Sequence, residues 1–156
     1  MNRKDNTFEN DLKEGKETEW WFAEYLKTKF ENSVIEFNVS NSIAELRKWD
    51  IKLTTTDGSV SLFEVKHDKK SAETGNFAVE YFGRTSQSGI AATTAKYWVI
   101  LSSESFYIFK TQSLKELINN NNFRQINISN GTAWCYLVPI EKAKEIVVAI
   151  ITKPTI

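Results

Sequence analysis

The chain has 156 residues, 41% of them hydrophobic and 13% aromatic, which suits one domain spanning 1–156 with a single core. Its 20 basic and 20 acidic residues cancel, which argues against indiscriminate nucleic-acid binding through bulk charge but leaves room for a local basic stripe. The lone Cys135 excludes an internal disulfide, and the lone His67 excludes a multi-histidine metal site. Cys135 sits in an apolar run and reads as a buried small hydrophobe. No apolar run approaches the ~20 residues of a membrane span. The polar start Met1-Asn2-Arg3-Lys4-Asp5 has no apolar signal core. A soluble, cytoplasmic protein is the expectation.

Residues 1–7 read as a polar start, and the pattern from about Phe8 to Phe30 is helical. Phe22, Ala23, Leu26 and Phe30 fall within one stripe of ~100°, the core-facing side. Glu19 falls in the middle of that stripe, whereas Glu24 lies on the far side beside Trp20. Either Glu19 reaches solvent from near the helix start, or it is a carboxylate placed for a purpose. Gly15, four residues earlier, would let another backbone approach closely. Trp20, Trp21 and Tyr25 cover the remaining sides.

Val34 to Val39 alternates and predicts a strand, broken at Asn41-Ser42. Trp49 to Leu53 and Val60 to Lys66 are the next two strands. Thr56-Asp57-Gly58 fits a three-residue hairpin loop with glycine in the left-handed position. In that register Asp50 lies directly opposite Glu64, with Cβ atoms about 5 Å apart. Two like charges directly opposed destabilise a sheet, so the pair implies a counter-cation. Glu64 and Lys66 are two residues apart on a strand and point to the same side.

His67-Asp68-Lys69-Lys70 is a basic exit loop that is either a phosphate contact or a solvated turn. Phe77 to Phe82 is an apolar strand carrying one acid, Glu80. Gly83 to Gly89 is a polar loop whose Arg84, Gln87 and Ser88 suit phosphate oxygens; an ordinary connection is the alternative. Ile90 to Ala95 suggests a helical turn. Tyr97 to Leu101, wholly apolar, predicts a central strand, and Phe106 to Phe109 its antiparallel partner. Ser113-Leu114-Lys115-Glu116 has the form of a capping box opening a short helix, which ends in the loop Asn119 to Asn122. A second hairpin joins Gln125–Ile128 to Ala133–Val138 around Ser129-Asn130-Gly131. Pro139 precedes a last helix, about Ile140 to Ile151, although the β-branched stretch from Ile146 also suits a strand or a dimer surface. The order predicts a mixed α/β domain: a central sheet with helices on it.

The charged residues in apolar contexts are Glu19, Asp50, Glu64 and Lys66, with Glu80 a further candidate. Two or three carboxylates on one surface suit a hard cation such as Mg²⁺. A metal held by Asp50 and Glu64 lowers the pKa of a bound water and polarises a phosphoryl oxygen. Lys66 is then a compact positive charge near the developing negative one. The chain has no P-loop lysine motif and no dinucleotide glycine fingerprint.

Asp50, thirteen intervening residues, then Glu64-Val65-Lys66 resembles the PD-(D/E)xK nuclease superfamily, and Gly15 followed by Glu19 is similar to that superfamily's helix motif. The segments Gly75-Asn76 to Glu80 and Ser88-Gly89-Ile90 to Tyr97-Trp98-Val99 look like its small phage-type and resolvase-like branch. The resemblance covers about residues 15–101, with Trp49 where the superfamily's name has proline. It implies a restriction-endonuclease-like fold, a central mixed β-sheet flanked by helices. It also implies a metal bound by Asp50, Glu64 and the main-chain carbonyl of Val65, with Glu19 as an outer acid and Lys66 catalytic. Mg²⁺ is the implied ion, with Mn²⁺ able to substitute, and DNA the implied substrate. Lys69, Lys70, Arg84, Gln87 and Ser88 are the candidate nucleic-acid contacts. Cutting both strands or a branched junction calls for a homodimer, for which the Trp20-Trp21-Tyr25 face and the apolar C-terminal stretch are candidate interfaces. The alternatives are a non-catalytic nucleic-acid or protein-binding module on the same fold, and a structural subunit in which Glu64 and Lys66 merely pair.

Overall fold

The computed structural model describes residues 3–128 and 130–155. The chain opens with a long helix, α1 (Arg3–Lys29). It continues through β1 (Val34–Phe37), a short α2 (Ile43–Leu46), β2 (Ile51–Thr54) and β3 (Val60–His67). A short α3 (Ser71–Thr74) leads to β4 (Asn76–Gly83) and the two-residue β5 (Ser86–Gln87), followed by a 3₁₀ turn at Gly89–Ala91. Then come β6 (Tyr97–Ser102), β7 (Ser105–Lys110) and α4 (Thr111–Asn119). The chain closes with β8 (Gln125–Ile128), β9 (Ala133–Pro139), α5 (Ile140–Ala143) and β10 (Val147–Thr152).

The strands form two sheets, not one. The larger has the order β1-β2-β3-β6-β7-β10; the smaller is β5-β4-β9-β8. The larger sheet is mixed, since β3 and β6 run parallel while its other pairs are antiparallel. A parallel pair needs a long crossover. Here the crossover is α3, β4, β5 and the 3₁₀ turn, so the small sheet grows out of the connection between the two central strands.

Alternate residues of β6 face opposite sides, and two cores result. Val99 and Leu101 join Phe63 and Val65 of β3 and Phe106 and Ile108 of β7 under Phe22, Ala23 and Leu26 of α1. Trp98 and Ile100 face the other way, toward Phe77 and Val79 of β4, Val138 of β9, and Leu114 and Ile118 of α4. Rings of Phe22 and Phe63 meet at 5.3 Å and of Phe22 and Phe106 at 5.4 Å, the tilted contact aromatic pairs favour. The expected central place of Tyr97–Leu101 is borne out, as is its antiparallel partner.

Several expectations are corrected. The helix begins by Arg3 and does not wait for Phe8; Met1 and Asn2 lie outside the described residues. Phe30 follows the end of α1 and is exposed, so the core stripe stops at Leu26. Nothing lies within 4 Å of a Cβ built on Gly15, so no backbone packs there. Ser113 is not a cap: β7 runs directly into α4, whose cap position is Lys110 in extended conformation, and Ser113 is already helical. A serine hydroxyl caps only from the non-helical residue before the first turn. The C-terminal helix shrinks to α5, and the Val-Val-Ala-Ile-Ile run is the strand β10, as β-branched residues prefer. The second hairpin turns where expected, with Asn130 and Gly131 both at positive φ; Ser129 lies outside the described residues.

Candidate active site

The site rests on the β2–β3 hairpin. Ile51 pairs with Phe63, Lys52 with Leu62, Leu53 with Ser61 and Thr54 with Val60, the register that opposes Asp50 to Glu64. Gly58 takes φ +87 in the loop, where a left-handed residue is needed. One residue beyond the ladder the Asp50 N–H still donates to the Phe63 carbonyl at 2.9 Å, and the Val65 N–H donates to Asp50 Oδ2 at 2.8 Å. That second bond holds the Asp50 side chain against the backbone of β3.

Glu64 is 3% exposed, the one buried glutamate among the described residues. Its Oε1 lies 3.2 Å from Lys66 Nζ, whose side chain is 45% exposed. The Lys66 ammonium also sits 5.9 Å from the centroid of the Trp98 ring, a further stabilisation of a cation at that point. Glu19, from the second half of α1, lies within hydrogen-bonding reach of the Asp50 carboxyl. Two carboxyls bond only when one carries the proton. Glu19 is therefore a member of the cluster and not a solvent-facing end residue.

The electrostatics follow from crowding and burial. Desolvation and the neighbouring Asp50 push Glu19 up to about 8. Desolvation, then the Asp50 charge, lifts Glu64 to about 7 against the pull of Lys66. Asp50 is also raised by desolvation, although Lys66 and the Val65 N–H work to lower it. What desolvation the part-exposed Lys66 side chain suffers is outweighed by the charges of Glu64 and Asp50, which hold the ammonium above its usual range. Burial first, and then the crowding of three acids around one lysine, thus favour the protonated form of these carboxyls.

The other candidate contacts divide. Lys69 pairs with Glu14 of α1, and Lys70 is exposed at the start of α3. Arg84 is exposed at the tip of the β4–β5 turn, with φ +59. The Gln87 side chain is exposed, while its carbonyl accepts from Arg47 Nη1 at 2.9 Å. Ser88 is corrected: it is buried, and its hydroxyl donates to Glu80 Oε2 at 2.6 Å, so it presents no free donor to a ligand. Glu80 adds its charge to those that hold the Lys66 proton.

Three groups were missed in the sequence. The Thr93 hydroxyl lies 3.4 Å from Glu64 Oε2, the Lys48 carbonyl accepts from the Thr93 and Thr94 segment, and Arg47 ties the approach to Asp50 onto β5. Thr and Arg in loops, and a main-chain carbonyl, are too common for their spacing to have marked them. The buried Cys135, free as expected, is raised to about 12 by desolvation and the nearby Glu80 charge, so its thiol stays protonated.

The candidate dimer faces are partly engaged. The Trp21 ring lies 3.9 Å under Lys153 Nζ, and Tyr25 packs against Phe22. Trp20 remains exposed, beside a cleft of about 590 Å³ between α1 and the C-terminal residues, away from the carboxylates. Val148 and Ile150 of β10 are exposed on the outer strand of the large sheet. Among the described residues no helix is long and apolar enough to cross a membrane.

Comparison with protein families, with curated proteins and with solved structures finds no match for this chain. Function therefore rests on the site itself.

Proposed function

We propose that the chain is a metal-dependent nuclease of the PD-(D/E)xK type, with a restriction-endonuclease-like fold, which hydrolyses phosphodiester bonds in DNA. One observation supports the reading: Glu19 of α1, Asp50 just before β2, and Glu64 and Lys66 of β3 lie within electrostatic reach of one another, three acids to one lysine.

The donors fit a divalent cation. They are hard carboxylate oxygens, as Mg²⁺ or Mn²⁺ requires, crowded around a single ammonium. Among the described residues no three His, Cys, Asp or Glu side chains are already gathered as a ligand set. Asp50, Glu64 and the Val65 carbonyl are the proposed ligands, with water completing the shell. A bound cation supplies an acidified water and charge beside a phosphoryl oxygen.

The chain's own groups do the rest. Lys66, held protonated by Glu64 and Asp50, is a charge and not a base; it faces the negative charge that builds on the scissile phosphate. Glu64 fixes the ammonium at 3.2 Å and so sets where that charge sits. Asp50 is fixed by the Val65 N–H and carries Glu19 as its outer partner. Lys70, Arg84 and the Gln87 side chain remain the proposed contacts to the DNA backbone, and a two-fold dimer the proposed route to cutting two strands.

The test incubates wild type, Asp50→Ala and Lys66→Ala with supercoiled plasmid and with a four-way DNA junction in Mg²⁺ and in Mn²⁺. Nicking or cleavage by wild type, lowered on the order of a hundredfold or more in each variant, is the expected result. Wild type as inert as both variants on each DNA and in either metal would end the nuclease reading.

A further inference from the structure

The segment from Ser88 to Ala95 runs as a strap from β4 to Glu64 of β3 and Lys48 ahead of β2. Gly89 presses it against β4: a Cβ at that position would stand 2.1 Å from the Glu80 carbonyl oxygen, and φ is +50. At one end Ser88 donates to Glu80. At the other, Thr93 is 8% exposed, with its hydroxyl in contact with both the Lys48 carbonyl and Glu64.

The hydrogen-bond count at Thr93 is informative. Its oxygen already accepts from the Ala95 N–H at 3.0 Å, so the hydroxyl proton is what it has to give. The Lys48 carbonyl lies 2.9 Å away, but it also receives the Thr94 N–H at 2.8 Å and faces the Thr94 hydroxyl at 3.3 Å. A carbonyl oxygen has two lone pairs, and three donors surround this one. The Thr93 proton can therefore turn to Glu64 Oε2 while Thr94 keeps the carbonyl satisfied. Glu64 Oε1 is held by Lys66 at the same time. Both oxygens of the buried carboxylate are then fixed, and its plane with them.

We propose that Thr93 is a positioning residue for Glu64, orienting the carboxylate from the strap for the divalent cation of the nuclease reading, on which this inference rests. Outer partners of metal-ligating carboxylates act in this way.

The test is a calorimetric titration of Mn²⁺ alone into wild type, Thr93→Val and Thr93→Ser, with kcat and KM for plasmid nicking measured beside it. Valine keeps the shape and removes the hydroxyl; serine keeps the hydroxyl. Thr93→Val is expected to bind Mn²⁺ about tenfold more weakly, with the loss in kcat at saturating DNA, and Thr93→Ser to restore the wild-type affinity. Should the valine variant not fold, Thr93→Ala replaces it. A merely structural threonine lowers the thermal midpoint and leaves the Mn²⁺ affinity unmoved; that result would overturn the proposal while leaving the nuclease reading intact. A wild type that gives no Mn²⁺ binding removes the nuclease reading and this inference together.

Discussion

Glu19 shows how position converts an ordinary side chain into a responsive one. It sits on the second half of α1, and the burial of α1 against the large sheet brings it to Asp50. Its folded pKa is raised to about 8 and that of Glu64 to about 7, both from 4.5. A carboxyl raised on folding binds more protons in the native state than in the unfolded state. Its contribution to stability is therefore full below about pH 4.5 and is lost as pH rises through 7 to 8. Without divalent metal, stability conferred by the cluster should fall across that window, and Glu19→Gln should flatten the fall by removing one titrating group. Urea unfolding of both proteins in a chelator, from about pH 5 to about pH 9, is the check. A difference between them that does not change with pH would show Glu19 to be uncoupled from Asp50.

At the level of elements, the hairpin was legible and the strap was not. A three-residue loop with glycine last sets the β2–β3 register from sequence alone, because turn type and strand pairing are linked locally. Asp50 opposite Glu64 follows. The strap depends on contacts between residues more than forty apart, such as Thr93 with Lys48, that no local pattern encodes. Its hinge point is Gly89, where the left-handed φ and the approach to the Glu80 carbonyl both exclude a side chain. Gly89→Ala should cost about 2–4 kcal/mol, read as a lower urea midpoint at an unchanged slope. Full stability in that variant would mean that the strap does not press on β4. The supposed cap at Ser113 failed for a related reason: the motif was present, but β7 delivers the chain into α4 two residues earlier.

At the scale of the molecule, β6 is the shared wall of two cores. Val99 and Leu101 belong to one, and Trp98 and Ile100 to the other. Neither core is complete without the strand that serves both, so the two should melt together. Tryptophan fluorescence and far-ultraviolet circular dichroism are expected to give one coincident unfolding curve. Two separated transitions would show that the small sheet stands apart from the large one. The same layout explains why one central sheet was expected and two were formed. Alternation and turn residues identify strands, but β4, β8 and β9 look in sequence like members of any sheet. Only the packing of β4 across the second face of β6 assigns them elsewhere.

By itself the sequence determined most of the strands, the central place of Tyr97–Leu101, the facing of Asp50 and Glu64, and the shared side of Glu64 and Lys66. These are consequences of periods of two and of a short loop, interactions that act over a few residues. Tertiary structure alone decided that Glu19 reaches Asp50, that Ser88 turns inward to Glu80 while Thr93 approaches Glu64, and that the C-terminal run joins β7 as a strand. Those outcomes depend on where α1 and the crossover come to rest on the sheet, which burial of apolar surface over the whole chain sets.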